Sequence, residues 1–142
     1  MGKLDNKVAI ITGGNAGVGK EIAKLFASEG AKVVISARRQ QILEEAAKEI
    51  EAAGGNALPV QCDIRDETQI ESAVQKAVEH FGGIDILINN ASAISLTPTE
   101  KTEPKRFDLM HDINVRGTFF MSRACIPFLK NAHNPHILNL SP

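Results

Sequence analysis

The stretch Thr12-Gly13-Gly14-Asn15-Ala16-Gly17-Val18-Gly19 constrains this chain more than any other. It follows an apolar run, Val8-Ala9-Ile10-Ile11, and precedes Glu21-Ile22-Ala23-Lys24-Leu25-Phe26, whose apolar residues recur at helical spacing. A buried strand that passes through a glycine turn into a helix aims bare backbone N–H groups and the positive end of the helix dipole at one point, which makes an anion site. The glycines divide the work. One permits the tight turn, one lets a diphosphate approach the backbone, and one lets helix and strand pack closely.

The same alternation continues downstream. Apolar runs at 8–11, 32–36, 57–62, 84–89 and 136–140 read as strands, and the segments 18–28, 40–53, 66–81 and 103–131 read as helices. The second helix places Ile42, Leu43, Ala46, Ala47 and Ile50 on one face and stops at Gly54-Gly55. The third opens on Asp66-Glu67-Thr68-Gln69, an N-cap with Gln three residues on, and stops at Gly82-Gly83. Pro127 predicts a kink or a new turn in the last one. Strands alternating with helices predict an α/β fold: one doubly wound, Rossmann-type parallel sheet in the order 3-2-1-4-5, with ligands at the carboxyl ends of its strands. Residues 1–142 read as a single domain. The segment 92–105, rich in Thr, Pro and Ser, reads as a long functional loop leaving the fourth strand.

Composition narrows the partners. A net charge of −1 gives no basic field, which argues against nucleic acid. The N-terminus lacks the apolar core of a signal peptide, and no run approaches the roughly 20 apolar residues of a membrane span. Cys62 and Cys125 read as reduced, buried thiols, so an intracellular, cytoplasmic protein is expected. His133 and His136 share a polar loop without a third ligand, so no metal site is expected.

Two phosphate chemistries compete for the first turn. Gly14 to Lys20 matches G-x-x-x-x-G-K, the pattern of P-loop nucleotidases, which next requires a Ser or Thr for magnesium. Glu21 stands there instead; it offers no hydroxyl and repels phosphate. The dinucleotide alternative makes a second demand, that the end of the next strand meet the ribose: an acid for the 2′-OH of NAD, a base for the 2′-phosphate of NADP. The sequence there is Ile35-Ser36-Ala37-Arg38-Arg39. Arg38 can fork onto phosphate oxygens and Ser36 can add a hydroxyl, which favours NADP while leaving NAD possible. Two solvated arginines at a helix start are the simpler alternative.

Together these residues resemble the short-chain dehydrogenase/reductases. Thr12-Gly13, Gly17-Val18-Gly19 match the T-G-x-x-x-G-x-G spacing of that family, which makes Gly13, Asn15, Ala16, Gly17, Val18 and Gly19 the expected cofactor turn. Asp63, followed by Ile64, falls where the family has an acid that contacts adenine. Leu87-Ile88-Asn89-Asn90-Ala91 is similar to its N-N-A-G motif, with Ser92 in place of the glycine, and puts Asn90 and Ala91 beside the cofactor. Asn114 falls where a helix asparagine supports a proton relay, and Ile137 to Ser141 looks like the fifth strand leading to the catalytic serine. Residues 89–97 and the Ser141-Pro142 pair resemble most the hydroxysteroid dehydrogenase-like branch. Bland alternatives remain for each: cross-strand amide bonds for Asn89 and Asn90, a turn role for Asp63, and a bend in the helix for Asn114.

The resemblance implies hydride transfer between NADP(H) and an alcohol/carbonyl pair on a small, lipophilic molecule. That chemistry needs a proton donor beside the reacting oxygen, a tyrosine four residues before a lysine in this family. These 142 residues contain no tyrosine. Ser141 takes the first of the two small-residue positions after the strand, with Pro142 in the second, and is the one serine candidate there. The expected reading is therefore the cofactor-binding portion of a longer oxidoreductase, and the alternative a non-catalytic dinucleotide-binding or interaction module. Ending a sheet after its fifth strand would leave apolar faces bare at about 25 cal/mol per Å², and in the family the long helix after the fourth strand builds a dimer interface, so a homo-oligomer is expected.

Overall fold

The computed structural model describes residues 2–142. Strand β1 (Val8–Thr12) leads into helix α1 (Gly17–Ser28), then β2 (Lys32–Ala37), α2 (Gln40–Ala52), β3 (Asn56–Gln61), α3 (Glu67–Phe81) and β4 (Ile86–Asn89). A single 3₁₀ turn at Thr99–Lys101 precedes α4 (Pro104–His111), a π-turned segment (Asp112–Gly117), α5 (Thr118–Leu129) and β5 (His136–Asn139). All strand pairs are parallel, and the order is β3-β2-β1-β4-β5, as expected.

Register aligns the side chains into two cores. Ile10, Val34 and Leu87 point to one face, where α3 and α5 cover them with Ile70, Val74, Met121 and Cys125. Ile11, Ile35 and Ile88 point to the other, against Leu43 and Ile50 of α2 and Ala23 of α1. Each fully buried aliphatic side chain contributes about 1.5–3 kcal/mol, so the two faces carry most of the stability. This is why β1 and β4 are apolar without alternation: both of their faces are buried.

Three local expectations change. The segment 103–131 is not one helix but α4, a π-turned stretch and α5, and the break falls at Asp112–Gly117 rather than at Pro127. Pro127 sits inside the last turn of α5, near the end, where its missing N–H deprives only the Arg123 carbonyl. The Asp66 cap forms, its carboxylate accepting from the N–H groups of Thr68 (2.9 Å) and Gln69 (3.3 Å). The Gln69 side chain reaches back to the cap's carboxylate rather than to its backbone N–H: Nε2 donates to Asp66 Oδ2 at 3.2 Å, while Oε1 accepts from the N–H of Asp63 at 2.8 Å. Strand β5 is exposed along its length, with Leu138 53% exposed.

Candidate functional site

The site is built at the carboxyl ends of β1, β2, β3 and β4. Thr12, the last residue of β1, accepts on its hydroxyl oxygen the N–H groups of Asn90 and Ala91, both at 3.0 Å, and so holds the β4 exit against the glycine turn. Gly13 follows at φ +68°, its N–H donating to the Ser36 carbonyl at 2.7 Å, and Gly17 repeats the left-handed conformation at φ +56°. The other two glycines make room rather than turns. A Cβ on Gly14 would lie 2.8 Å from the Ile35 side chain, and one on Gly19 would run into the Gly13 carbonyl and the Asn90 amide. Sequence spacing flags the glycines but does not say which serves conformation and which serves packing.

Helix α1 begins with nothing covering its end. Its N-cap is Ala16, which has no side-chain acceptor, and the first backbone bond runs from Lys20 N–H to Ala16 O at 3.2 Å. The first-turn N–H groups and the helix dipole are therefore free to meet an anion. Lys20, the lysine a P-loop would use on phosphate, is tied instead to Glu49 of α2 at 2.9 Å, and Glu21 faces Lys24 at 3.8 Å.

A cleft of about 500 Å³ opens in front of this turn. Gly13, Asn15, Ala16 and Val18 form its near wall, and Ser36 and Arg38 its end at β2. Asp63 and Ile64 close it at β3, with Asn90 and Ala91 on the β4 side. Ten of the twelve cofactor candidates thus converge on one space. Gly17 and Gly19 do not line it; Gly17 borders a neighbouring hollow beside Lys20, and Gly19 lies behind the turn as a packing residue.

Charge is distributed unevenly along the cleft. Arg38 forms no ion pair among the described residues. Asp63 is paired: Arg65 donates from its Nε to Oδ1 (3.0 Å) and from its Nη2 to Oδ2 (2.8 Å), and these bonds hold the Asp63 carboxyl below its ordinary range. Cys62 and Ile113 also line the space, and sequence reasoning missed both. Burial pushes the Cys62 thiol up to about 11, with the Ser36 hydroxyl pulling the other way. No group of three metal-ligating side chains occurs among the described residues.

Neither catalytic candidate lines the cleft, although Asn114 follows Ile113, which does. Asn114, in the π-turned segment, spends its amide on Ala93 in the loop after β4. Ser141 lies in the exposed stretch after β5, not on the cleft wall. Asn89 takes the cross-strand role: its Nδ2 donates to Asn139 Oδ1 (2.8 Å) and Ser122 Oγ (3.1 Å), while its own Oδ1 is buried without a partner among the described residues. The loop candidate 92–105 is irregular up to Pro98 and carries the 3₁₀ turn before α4.

The donor set suits a nicotinamide dinucleotide: an uncapped helix start that glycines keep clear of side chains, and, at the ends of the adjacent strands β2 and β3, a cation without an ion pair among the described residues and a carboxylate. Comparison with known proteins agrees. The family model described as short chain dehydrogenase matches residues 7–142. Hydroxysteroid dehydrogenase-like protein 2 of Rattus norvegicus is 57% identical across 99% of this chain and 28% of its own length, and that of Homo sapiens 53% identical across 99% and 35%. The crystal structure of a short chain dehydrogenase from Mycobacterium thermoresistibile superposes with TM-score 0.95 at 50% identity, covering 99% of this chain and 52% of that one. A short-chain dehydrogenase/reductase variant from Serratia marcescens gives TM-score 0.90 at 36% identity, covering 96% and 55%. The chain thus spans about a third of these curated relatives' length and about half of the solved chains.

Proposed function

Because this chain belongs to the short chain dehydrogenase family, we propose that it is the cofactor-holding part of an oxidoreductase that uses NADP(H) on an alcohol/carbonyl pair of a small, lipophilic molecule. The observation that carries this reading is the cleft: an uncapped α1 start and, lining the same space, Arg38 after β2, which has no ion pair among the described residues. When bound, the nicotinamide supplies or accepts the hydride. The backbone of Gly13, Asn15, Ala16, Gly17 and Val18 receives the diphosphate, with Gly19 packed close behind the turn, and Ser36 and Arg38 receive the 2′-phosphate. Asp63 and Ile64 meet the adenine, and Asn90 and Ala91 flank the nicotinamide half. Asn114 acts as a positioning residue for the proton relay, and Ser141 as the hydroxyl that polarises the substrate oxygen.

Titration of the full-length protein with NADPH, NADH and ATP with magnesium tests the proposal through the fluorescence of the reduced nicotinamide and its displacement. NADPH is expected to bind tightest. Tighter binding of NADH would overturn the NADP assignment, and tighter, magnesium-dependent binding of ATP the dinucleotide reading itself. The alternative reading is a dinucleotide-binding or interaction module without catalysis. Turnover of any alcohol/carbonyl pair with bound NADPH by the full-length protein would exclude it.

The exposed apolar residues Val115, Phe119 and Ile126 support a homo-oligomer that covers the α5 side. Light scattering that returns a monomer mass would overturn that assignment.

A further inference from the structure

Arg65 does not line the cleft, yet it binds the carboxylate of Asp63, which belongs to a residue that does. Both backbone polar groups of Asp63 are already used: its N–H donates to Gln69 Oε1 at 2.8 Å, and its carbonyl accepts from the Asp66 N–H at 3.0 Å. What remains is the carboxylate. Oδ1 accepts twice from Arg65, from the backbone N–H and from Nε, both at 3.0 Å, and Oδ2 accepts once, from Nη2 at 2.8 Å. A carboxylate offers about four acceptor sites, so three are filled and one, on Oδ2, is left. Arg65 is itself anchored, because Arg116 Nη1 donates to its carbonyl at 3.0 Å and the Arg116 guanidinium lies 4.7 Å from the centre of the Phe120 ring.

We propose that Arg65 is a positioning residue for base recognition: by fixing the Asp63 carboxylate it leaves one acceptor site facing the cleft, which selects a 6-aminopurine over a 6-oxopurine. The proposal rests on the dinucleotide reading of the cleft. A 6-amino group donates an N–H to Oδ2. A 6-oxo group presents a lone pair to a lone pair, and a carboxylate locked by a two-pronged guanidinium cannot swing aside to relieve it. Without the Arg65 guanidinium only the backbone N–H of position 65 still holds Oδ1, so the carboxylate turns about that bond, hydrates, and tolerates either base.

The full-length protein is titrated with NADPH and with its 6-oxo counterpart, nicotinamide hypoxanthine dinucleotide phosphate in the reduced form, following nicotinamide fluorescence. The native protein is expected to favour NADPH by about tenfold, the worth of one unpaired charged acceptor. Arg65→Leu is expected to shrink that ratio to about twofold. Any general effect of the lost charge on the phosphates falls on both ligands and cancels in the ratio. Arg65→Lys, which keeps the charge but not the fork, is expected to fall between, and it carries the test if Arg65→Leu does not fold. Asp63→Asn is expected to level the two ligands, since the amide can turn its N–H toward a 6-oxo group. Equal binding by the native protein, or an unchanged ratio in both Arg65 variants, would overturn the role of Arg65 while leaving the dinucleotide reading intact. Binding of neither ligand would overturn the dinucleotide reading.

Discussion

Asn114 holds both backbone polar groups of Ala93: its Oδ1 accepts the Ala93 N–H at 2.9 Å and its Nδ2 donates to the Ala93 carbonyl at 2.7 Å. One side-chain amide thereby does what a neighbouring strand would do for the start of the loop after β4. The π-turned segment that carries Asn114 is what brings it there, and Gly117 at the end of that segment leaves room for Ile64. A Cβ on Gly117 would lie 2.6 Å from the Ile64 side chain.

Removing that clamp has a measurable cost. Asn114→Ala strands two backbone groups and is expected to destabilise the protein by about 2 kcal/mol in urea unfolding, with amide exchange at Ala93 accelerated. Asn114→Asp keeps the acceptor and loses the donor, so about half the loss is expected. Undiminished exchange protection at Ala93 in the alanine variant would show that other contacts hold the loop.

The glycines of the first turn predict a contrast. Gly19→Ala drives a methyl group into the Gly13 carbonyl and the Asn90 amide, with backbone on one side and a half-buried side chain on the other. A loss of about 2–3 kcal/mol in urea unfolding is expected, together with distortion of the turn. At Gly17 a Cβ meets nothing within 4 Å, and only the positive φ resists it, so Gly17→Ala is expected to lose about 1 kcal/mol. The reverse ranking would mean that the turn is looser than its packing implies.

Reversing the charge at Arg38 tests the cleft's cationic end. Arg38→Asp replaces a guanidinium able to donate two charge-assisted bonds with a group that repels phosphate and can bond a ribose hydroxyl. A loss of NADPH affinity of about a hundredfold is expected, with NADH gaining the preference. Unchanged selectivity would remove Arg38 from the 2′-phosphate site.

The two thiols set a limit on alkaline stability. Burial pushes Cys62 up to about 11 and Cys125 to about 12, from an ordinary 9.0. Above pH 9 the unfolded chain gives up these protons and the folded chain keeps them, so their contribution is complete below pH 9 and is lost as pH rises toward 11–12. Unfolding free energy is expected to fall by up to about 1.4 kcal/mol per pH unit for each thiol in that range. Cys62→Ala and Cys125→Ala should each flatten the slope. A slope unaltered in both variants would mean that the thiols ionise equally in the two states.

Much of the site was legible in the sequence because its parts are local. Thr12 to Gly19 is contiguous, and the strand before it and helix after it declare themselves by uninterrupted hydrophobicity and 3.6-residue spacing. Arg38, Asp63 and Asn90 were legible for the same reason, since each stands at the end of an apolar run. The break within 103–131 was not, because a π-turn and an α-helix draw on the same residues and differ only in which carbonyl each N–H meets. The spacing of Asp66 and Gln69 was legible too, since Gln69 Nε2 donates to Asp66 Oδ2 at 3.2 Å, but it gave no sign that Gln69 Oε1 would also accept the Asp63 N–H.

What the sequence determined by itself is the alternation of strands and helices, the glycine turn, and the chemical types at the strand ends, because each of these depends on residues a few positions apart. The pairing of Asp63 with Arg65 is short in sequence, but its meaning was decided by the sheet. Parallel order β3-β2-β1-β4 brings Asp63, Arg38, the turn and Asn90 to the walls of one cleft of about 500 Å³. The clamp of Asn114 on Ala93, 21 positions apart, and the span from Asn89 to Asn139, 50 apart, belong to the tertiary structure alone. Polar side chains find such partners only after the two apolar faces have closed, since burial fixes the register and directional bonds then select among the neighbours it supplies.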